Sequence, residues 1–296
     1  MLLLVLPTVL AAQNSGRIES EYKLKVPREQ ASAIWQFLSD HYGPQGIKTI
    51  DTAFQSNLSE EIFYDQYFDD DQQSLYQHAA GARFRQRFVK DSLVKELVQL
   101  KLPLGDSLGV ARQEIKFNVY RKIKKKDRQA MHPFWQHVRP KNRDEVDLQL
   151  ASFNLRGNDL RPQVKVKQIR KRVYVSEQGE ALMTMTLDEV SSAYFPYPTF
   201  VELELELNEI RYTEGDLLER KRMEAINQEL KDQLTQRFPE LQQDQTPKYN
   251  KMVHLLRGNV WLLLYDNLMY LILALLVAYA AFLFGQQYFS LQTKAA

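Results

Sequence analysis

The residues with most to say about chemistry are Glu19, Glu21 and Lys23, in the run Arg17–Val26. On a strand these three share one face with Lys25, while Ile18, Tyr22, Leu24 and Val26 share the other, with Ser20 a small exception. Two carboxylates about 7 Å apart on one pleated face, followed by an ammonium, can hold a hard divalent cation beside an anionic ligand. One such strand has a simpler explanation, a charged outer face in water. The pattern recurs, however. Ala82–Phe88 sets Arg83, Arg85 and Arg87 on one face, and Leu93–Leu102 sets Lys95, Gln99 and Lys101 against Val98, Leu100 and Leu102. Ala111–Phe117 groups Arg112, Glu114 and Lys116. Gln163–Val175 groups Arg170, Arg172 and Tyr174, with Lys165 and Lys167 as candidates to join them across a bulge. Leu182–Val190 places Thr184, Thr186 and Asp188 opposite Met183, Met185 and Leu187. Phe200–Leu207 is the most regular, with Glu202, Glu204 and Glu206 opposite Val201, Leu203, Leu205 and Leu207.

Acids gather on the first and last strands and bases on the middle ones. A flat solvated sheet has no need of that segregation. A closed antiparallel barrel would turn every charged face onto one lumen and leave the apolar faces for surrounding helices. Stacked arginines repel unless an anion fills the space, and grouped carboxylates repel unless a cation does. A polyphosphate chain with bound metal answers both. Arginine suits it through bidentate contacts, and lysine adds a point charge. The competing explanation is a ladder of surface salt bridges, each worth about 0–1 kcal/mol.

Between the strands, Pro27–Tyr42 reads as a helix with Ala31, Ile34, Trp35 and Leu38 as its apolar stripe, stopped by Gly43. Phe63–Phe68 is an aromatic strand, followed by an acidic, solvated turn at Asp69–Asp71. Gly105–Gly109 makes a turn, and Lys122–Pro162, with a basic run at Lys124–Arg128, is a polar excursion with helical pieces. Thr213–Phe238 reads as one long charged helix beginning at a Thr-x-x-Asp cap. At 296 residues, 44% hydrophobic and 26% charged, the composition is that of one large globular domain or two small ones. A net charge of +2 with the signs evenly mixed argues against a nucleic-acid duplex as partner. The absence of cysteine excludes disulfides, thiolate ligands and a thiol nucleophile. The five histidines lack metal-ligand spacing. With no Ser-His-Asp group and no P-loop in view, water activated by metal and carboxylate is the economical nucleophile.

The ends bear on location. Residues 1–16 form a short segment whose apolar run, Leu2–Ala12, has the length of a signal-peptide core, with Val9 and Ala11 ahead of a cleavage point. No basic residue precedes that run and Pro7 interrupts it. Residues 259–286 read as a transmembrane helix, since Leu268–Phe284 carries no charge and only Asp266 interrupts the run back to Val260. Lys248, Lys251 and Arg257 lie on the domain side and only Lys294 beyond, in the tail 287–296. That bias predicts a single-pass tail anchor with the domain at 17–257 in the cytoplasm; a cleaved signal peptide would reverse it.

With these residues assembled, the chain resembles the triphosphate tunnel metalloenzyme superfamily, or CYTH proteins, over roughly Arg17–Leu256. The Glu-x-Glu-x-Lys opening is similar to Glu19, Glu21 and Lys23. A "YFD" element before Arg-x-Arg resembles Tyr67-Phe68-Asp69 and Arg83 with Arg85. Lys101, Arg112 with Glu114, Arg170 with Arg172, Asp188, and Glu202 with Glu204 follow in the family's order. A late "SKY" element resembles Pro247-Lys248-Tyr249, with the serine replaced. The resemblance implies an α+β fold, an eight-stranded closed antiparallel barrel with surrounding helices, binding a triphosphate with Mg²⁺ or Mn²⁺. It implies metal carboxylates at Glu19, Glu21, Glu202 and Glu204, with Asp188 and Glu114 as further acids. It implies phosphate contacts from Lys23, Arg83, Arg85, Lys101, Arg112, Arg170, Arg172 and Lys248, and a catalytic set of Glu19, Glu21, Lys23, Glu202 and Glu204. The reaction it implies is cleavage of a phosphoanhydride in inorganic or nucleoside triphosphate. The tail and Tyr67–Arg87 are similar to the membrane-attached VTC-type polyphosphate polymerases, so polymerisation from ATP is a second expectation. A non-catalytic polyphosphate sensor is a third.

Overall fold

A computed structural model describes residues 17–103, 111–119, 131–193, 199–257 and 268–295. The expected segment 1–16, the turn at 105–109 and the basic run at 124–128 lie outside the described residues. The chain divides into two compact units, residues 1–252 and 253–296.

The first unit is built on antiparallel strands: β1 (Arg17–Val26), β2 (Phe54–Asp69), β3 (Gly81–Val89), β4 (Ser92–Pro103), β5 (Ala111–Asn118), β6 (Arg161–Glu177), β7 (Glu180–Ser192), β8 (Thr199–Leu207) and the two-residue β9 (Gln242–Gln243). Their order in the sheet is β5-β4-β3-β2-β6-β7-β8-β1-β9. β1 pairs β8 over Glu21–Val26, but pairs β5 only over Arg17–Ser20. Beyond Ser20 that edge of β1 is taken by β9, at Leu24 and Lys25, and by Asp244, whose N–H donates to the Lys23 carbonyl at 3.1 Å. The sheet is therefore curled, and among the described residues β1 and β5 meet over four residue pairs, Arg17–Ser20 with Ala111–Glu114. The expected eight-stranded closed barrel is corrected to this nine-stranded sheet.

Strand parity sorts the side chains. Val201, Leu203, Leu205 and Leu207 face outward into a core with Leu24, Val173, Val175, Met183, Met185 and Leu187. Helix α1 (Ala31–His41) covers it through Ala31, Ile34 and Leu38. A short α2 (Ile47–Ile50) follows α1, and α3 (Ser74–Gln77) follows β2. The described part of the expected excursion, 131–160, is a second cover. Phe134, Trp135 and Val138, with Val146 and Leu150 of α4 (Arg143–Leu150), bury Val98, Leu100, Leu102, Ile115 and Phe117. Gly157 lies flat on Trp135, where a Cβ would sit 2.1 Å from the ring. Each buried Leu or Val contributes about 1.5–3 kcal/mol.

The helix expected from Thr213 is two pieces, α5 (Glu209–Glu214) and α6 (Leu217–Arg237), parted at Gly215. The cap is Asp216 itself, whose carboxylate accepts from the Glu219 N–H at 2.8 Å. Met223, Leu230 and Leu234 of α6 join the first core. A further helix, α7 (Lys248–Arg257), follows β9.

The second unit contains α8 (Leu268–Ala295). Among the described residues no helix is long and apolar enough to cross a membrane. The first part of the expected span, 259–267, lies outside the described residues. The transmembrane helix, the membrane partner and the tail-anchored localisation are corrected accordingly.

Candidate functional site

The parity that turns apolar residues outward turns charge inward. Glu202 and Glu204 on β8 and Asp188 on β7 are buried, as are Glu21 and Lys23 on β1, Arg83 and Arg85 on β3, Arg170 on β6, and Arg112 and Glu114 on β5. Together with Lys101 and Arg172 they meet in one interior region. Glu19 sits opposite Arg112 in the β1–β5 pairing, and its side chain is outside the described residues. Lys165 and Lys167 stay on the opposite face of β6 from Arg170: the register shift falls before them, where Tyr67 and Phe68 pair Val164 and Pro162.

A cavity of about 150 Å³ opens in this interior. Nine cations line it, the eight expected phosphate ligands and Lys116, against four carboxylates, Glu21, Glu114, Glu204 and Glu206. Acids just off the lining, Asp65, Glu61, Asp188 and Glu202, offset much of that charge, so the lining presents cations to an anion while their partners lie outside it.

The acid wall is β7 and β8. Asp188, Glu202 and Glu204 are the one group of carboxylates among the described residues whose oxygens lie within 4.8 Å of one another. The Lys248 ammonium, at the start of α7, touches all three, at 2.9 Å from Asp188 and 2.6 Å from Glu204. Lys251 reaches Glu202 at 2.9 Å, and Arg170 donates Nε to Asp188 at 2.6 Å and Nη2 to Glu204 at 3.1 Å. Burial alone would raise both acids. Lys248, Arg170 and Lys23 overcome it and hold Glu204 well below the usual carboxylate range, and Arg170 with Lys248 lowers Asp188. Burial opposes the Lys248 charge as well, but Asp188, Glu202 and Glu204 raise its pKa well above the ordinary lysine value. Three buried oxygen donors around a seat already held by a cation fit a hard divalent ion. Of the other expected acids, Glu21 is tied to this wall through Lys23, which lies 2.7 Å from Glu21 and 3.7 Å from Glu204. Glu114 is elsewhere, among Gln99, Lys101 and Arg83.

The base wall is β4, β3, β2 and β6, in that order in the sheet. Arg83 donates Nε to Gln99 at 2.8 Å, and Nη1 to Asp65 and to the Tyr67 hydroxyl at 3.2 Å each. Arg85 makes a bidentate pair with Asp65, both contacts 2.6 Å. Arg172 donates to Glu61 at 3.2 Å and to the Tyr174 hydroxyl at 2.7 Å, and Arg87 also pairs with Glu61. The Phe63 ring underlies Arg85, Arg170 and Arg172, with guanidinium carbons 4.5, 5.2 and 5.7 Å from its centre.

Sequence reasoning missed Asp65, Glu61 and Lys251. The signal for the first two was present, since Glu61, Phe63, Asp65 and Tyr67 share a parity on β2. The turn at Asp69 is also not solvated as expected. Asp69 is fully buried and accepts from the Leu75 and Tyr76 N–H groups at 2.9 Å and the Tyr249 hydroxyl at 3.0 Å. Tyr249 in turn stacks on Tyr67, centroids 5.1 Å apart. The first turn of α7 thus touches both walls.

A family model, the CYTH domain, matches residues 17–238. No curated protein sequence matches the chain. Among solved structures, the chain is similar to a Hippeastrum protein, a candidate adenylyl cyclase with a dominant triphosphatase activity, at 18% identity. That match covers 79% of this chain and 93% of the other, with a TM-score of 0.49. A candidate adenylate cyclase from Bacillus halodurans is 17% identical over 65% of this chain and 81% of its own, with a TM-score of 0.41. The RNA triphosphatase Pct1 of S. pombe is 10% identical over 73% and 82%, with a TM-score of 0.35.

Proposed function

Because the chain belongs to the CYTH domain family, we propose that it is a divalent-metal-dependent phosphohydrolase acting on a triphosphate held in the interior cavity. The observation that carries this is one cavity with nine cations on its walls beside a buried carboxylate group that seats a cation. A linear triphosphate matches both halves: its oxygens suit the arginine forks, and its charge suits a bridging metal.

The roles follow from position. Arg83, Arg85, Lys101, Arg112, Arg170 and Arg172, with Lys23, grip the phosphates and spread their charge. Asp188, Glu202 and Glu204 would hold the metal, with Glu21 beside them on β1. When bound, Mg²⁺ or Mn²⁺ would stabilise charge at the reacting phosphorus and lower the pKa of a water. Glu204, kept ionised by its neighbours, is available as a ligand at neutral pH. Lys248 would serve the phosphates once a metal takes its place among the acids.

Orthophosphate release from tripolyphosphate and ATP, with Mg²⁺ or Mn²⁺ and in EDTA, tests the reading. Metal-dependent release that Glu204→Gln abolishes is the expected result. Tight tripolyphosphate binding without turnover in any metal would overturn hydrolysis in favour of a sensor.

A further inference from the structure

Asp65 lies in the base wall. It is fully buried midway along β2, and it lies off the cavity lining that Arg83 and Arg85 form. Its two oxygens accept Nε and Nη2 of Arg85, Nη1 of Arg83 and the side-chain amide of Gln168. Two guanidiniums spaced two residues apart on one strand repel each other. A carboxylate between them removes the repulsion and sets both directions. Taking two donor positions of Arg85 from one edge leaves its Nη1 toward the cavity. Arg83 is held differently, on several sides: Gln99 takes Nε, Asp65 and the Tyr67 hydroxyl take Nη1, and Nη2 lies 3.8 Å from Glu114. Burial opposes charge on Asp65, but Arg85 and Arg83 lower its pKa, so it is an anion at neutral pH.

We propose that Asp65 is a positioning residue, which presets the Arg83 and Arg85 forks to receive phosphate oxygens without itself touching the substrate. The inference rests on the triphosphate reading above. A guanidinium already fixed loses less freedom on meeting an anion, so the gain lies in affinity. It applies to bound substrate and transition state alike, which places the effect in KM and leaves kcat nearly unchanged.

The variant is Asp65→Asn, which keeps the shape and removes the charge, made in the full chain and in an R83A/R85A background. Tripolyphosphate affinity is read by calorimetry in EDTA, and KM and kcat with Mg²⁺. The expected result for D65N alone is an affinity about tenfold weaker, a KM about tenfold higher and kcat within about threefold of the parent. In the R83A/R85A background D65N changes affinity less than about twofold, because the groups it acts through are gone. A folded D65N with unchanged affinity overturns the proposal, and so does the full tenfold loss in the R83A/R85A background. Should D65N not fold, the Arg83 and Arg85 Nε–H resonances of the parent decide. Slow exchange with solvent before ligand is added supports presetting, and rapid exchange overturns it. If the parent neither binds nor cleaves tripolyphosphate, the functional reading itself falls. If the parent does both and D65N matches it, only the role of Asp65 falls.

Discussion

The two walls of the cavity neutralise their charge by different means. On the base wall the counterion, Asp65, comes from the neighbouring strand and sits beside the arginines, inside the ladder that joins β2 to β3. On the acid wall Arg170 is likewise borne on a strand, but a second counterion, Lys248, comes from a helix and touches all three acids, where a metal would sit. A partner woven into a sheet stays in place when ligand arrives. A partner on an adjacent helix can give way to a competing cation. The arginines are therefore built to be permanently ready, and the acids to be exchanged.

The largest effect should come from the acid wall. Glu204→Gln removes a proposed metal ligand and a partner of Lys23, Arg170 and Lys248 at once, and turnover of tripolyphosphate should fall at least about a hundredfold, as measured by phosphate release. Next, Lys248→Met should tighten Mn²⁺ binding about tenfold, read by calorimetry without substrate, because the competing charge is gone. Unchanged Mn²⁺ affinity would erase the contrast between an exchangeable and a fixed counterion.

Acid should weaken both walls. Asp65, Asp188 and Glu204 have folded pKa values below their unfolded ones, so their contribution is complete above about pH 5 and is lost as pH falls through the lowered values. Urea denaturation at pH 7 and pH 3 checks this, with lower stability expected at pH 3. Smaller still, Tyr249→Phe deletes the hydrogen bond to Asp69 and should cost about 1 kcal/mol, seen in the same denaturation at pH 7. The smallest effect concerns a surface control. Arg222, with Arg211, holds Glu177 at about 2, so that pair persists below the usual glutamate range, and its loss should appear only toward pH 2 in an Arg222→Gln comparison.

Alternation carried far in the sequence. Glu202, Glu204, Glu206 and the leucines between them announce one charged and one apolar face, and β8 follows that rule, whereas β6 carries Lys165 and Lys167 on the face away from Arg170. What alternation does not encode is which strand pairs with which, or over what length. Gln242 and Gln243, far along the chain and without hydrophobic pattern, pair with β1 at Leu24 and Lys25, which no alternation announces. Asp65 was hidden for a different reason. Between Tyr64 and Gln66 it looks like a polar interruption in an aromatic strand, and only the arginines of β3 brought alongside give it a purpose. The uncharged C-terminal run was read from hydropathy, which registers apolar content but not where a helix starts and stops.

The link from Tyr249 to Asp69 spans 180 residues of sequence. A ribosome delivers about 5–20 residues each second, so roughly ten seconds or more separate the two partners at birth. The acids of β7 and β8, once made, are without Lys248 and Lys251 until α7 follows them. Assembly of this pocket is thus a late event in the life of a new chain, completed only when the first turn of α7 has left the exit channel.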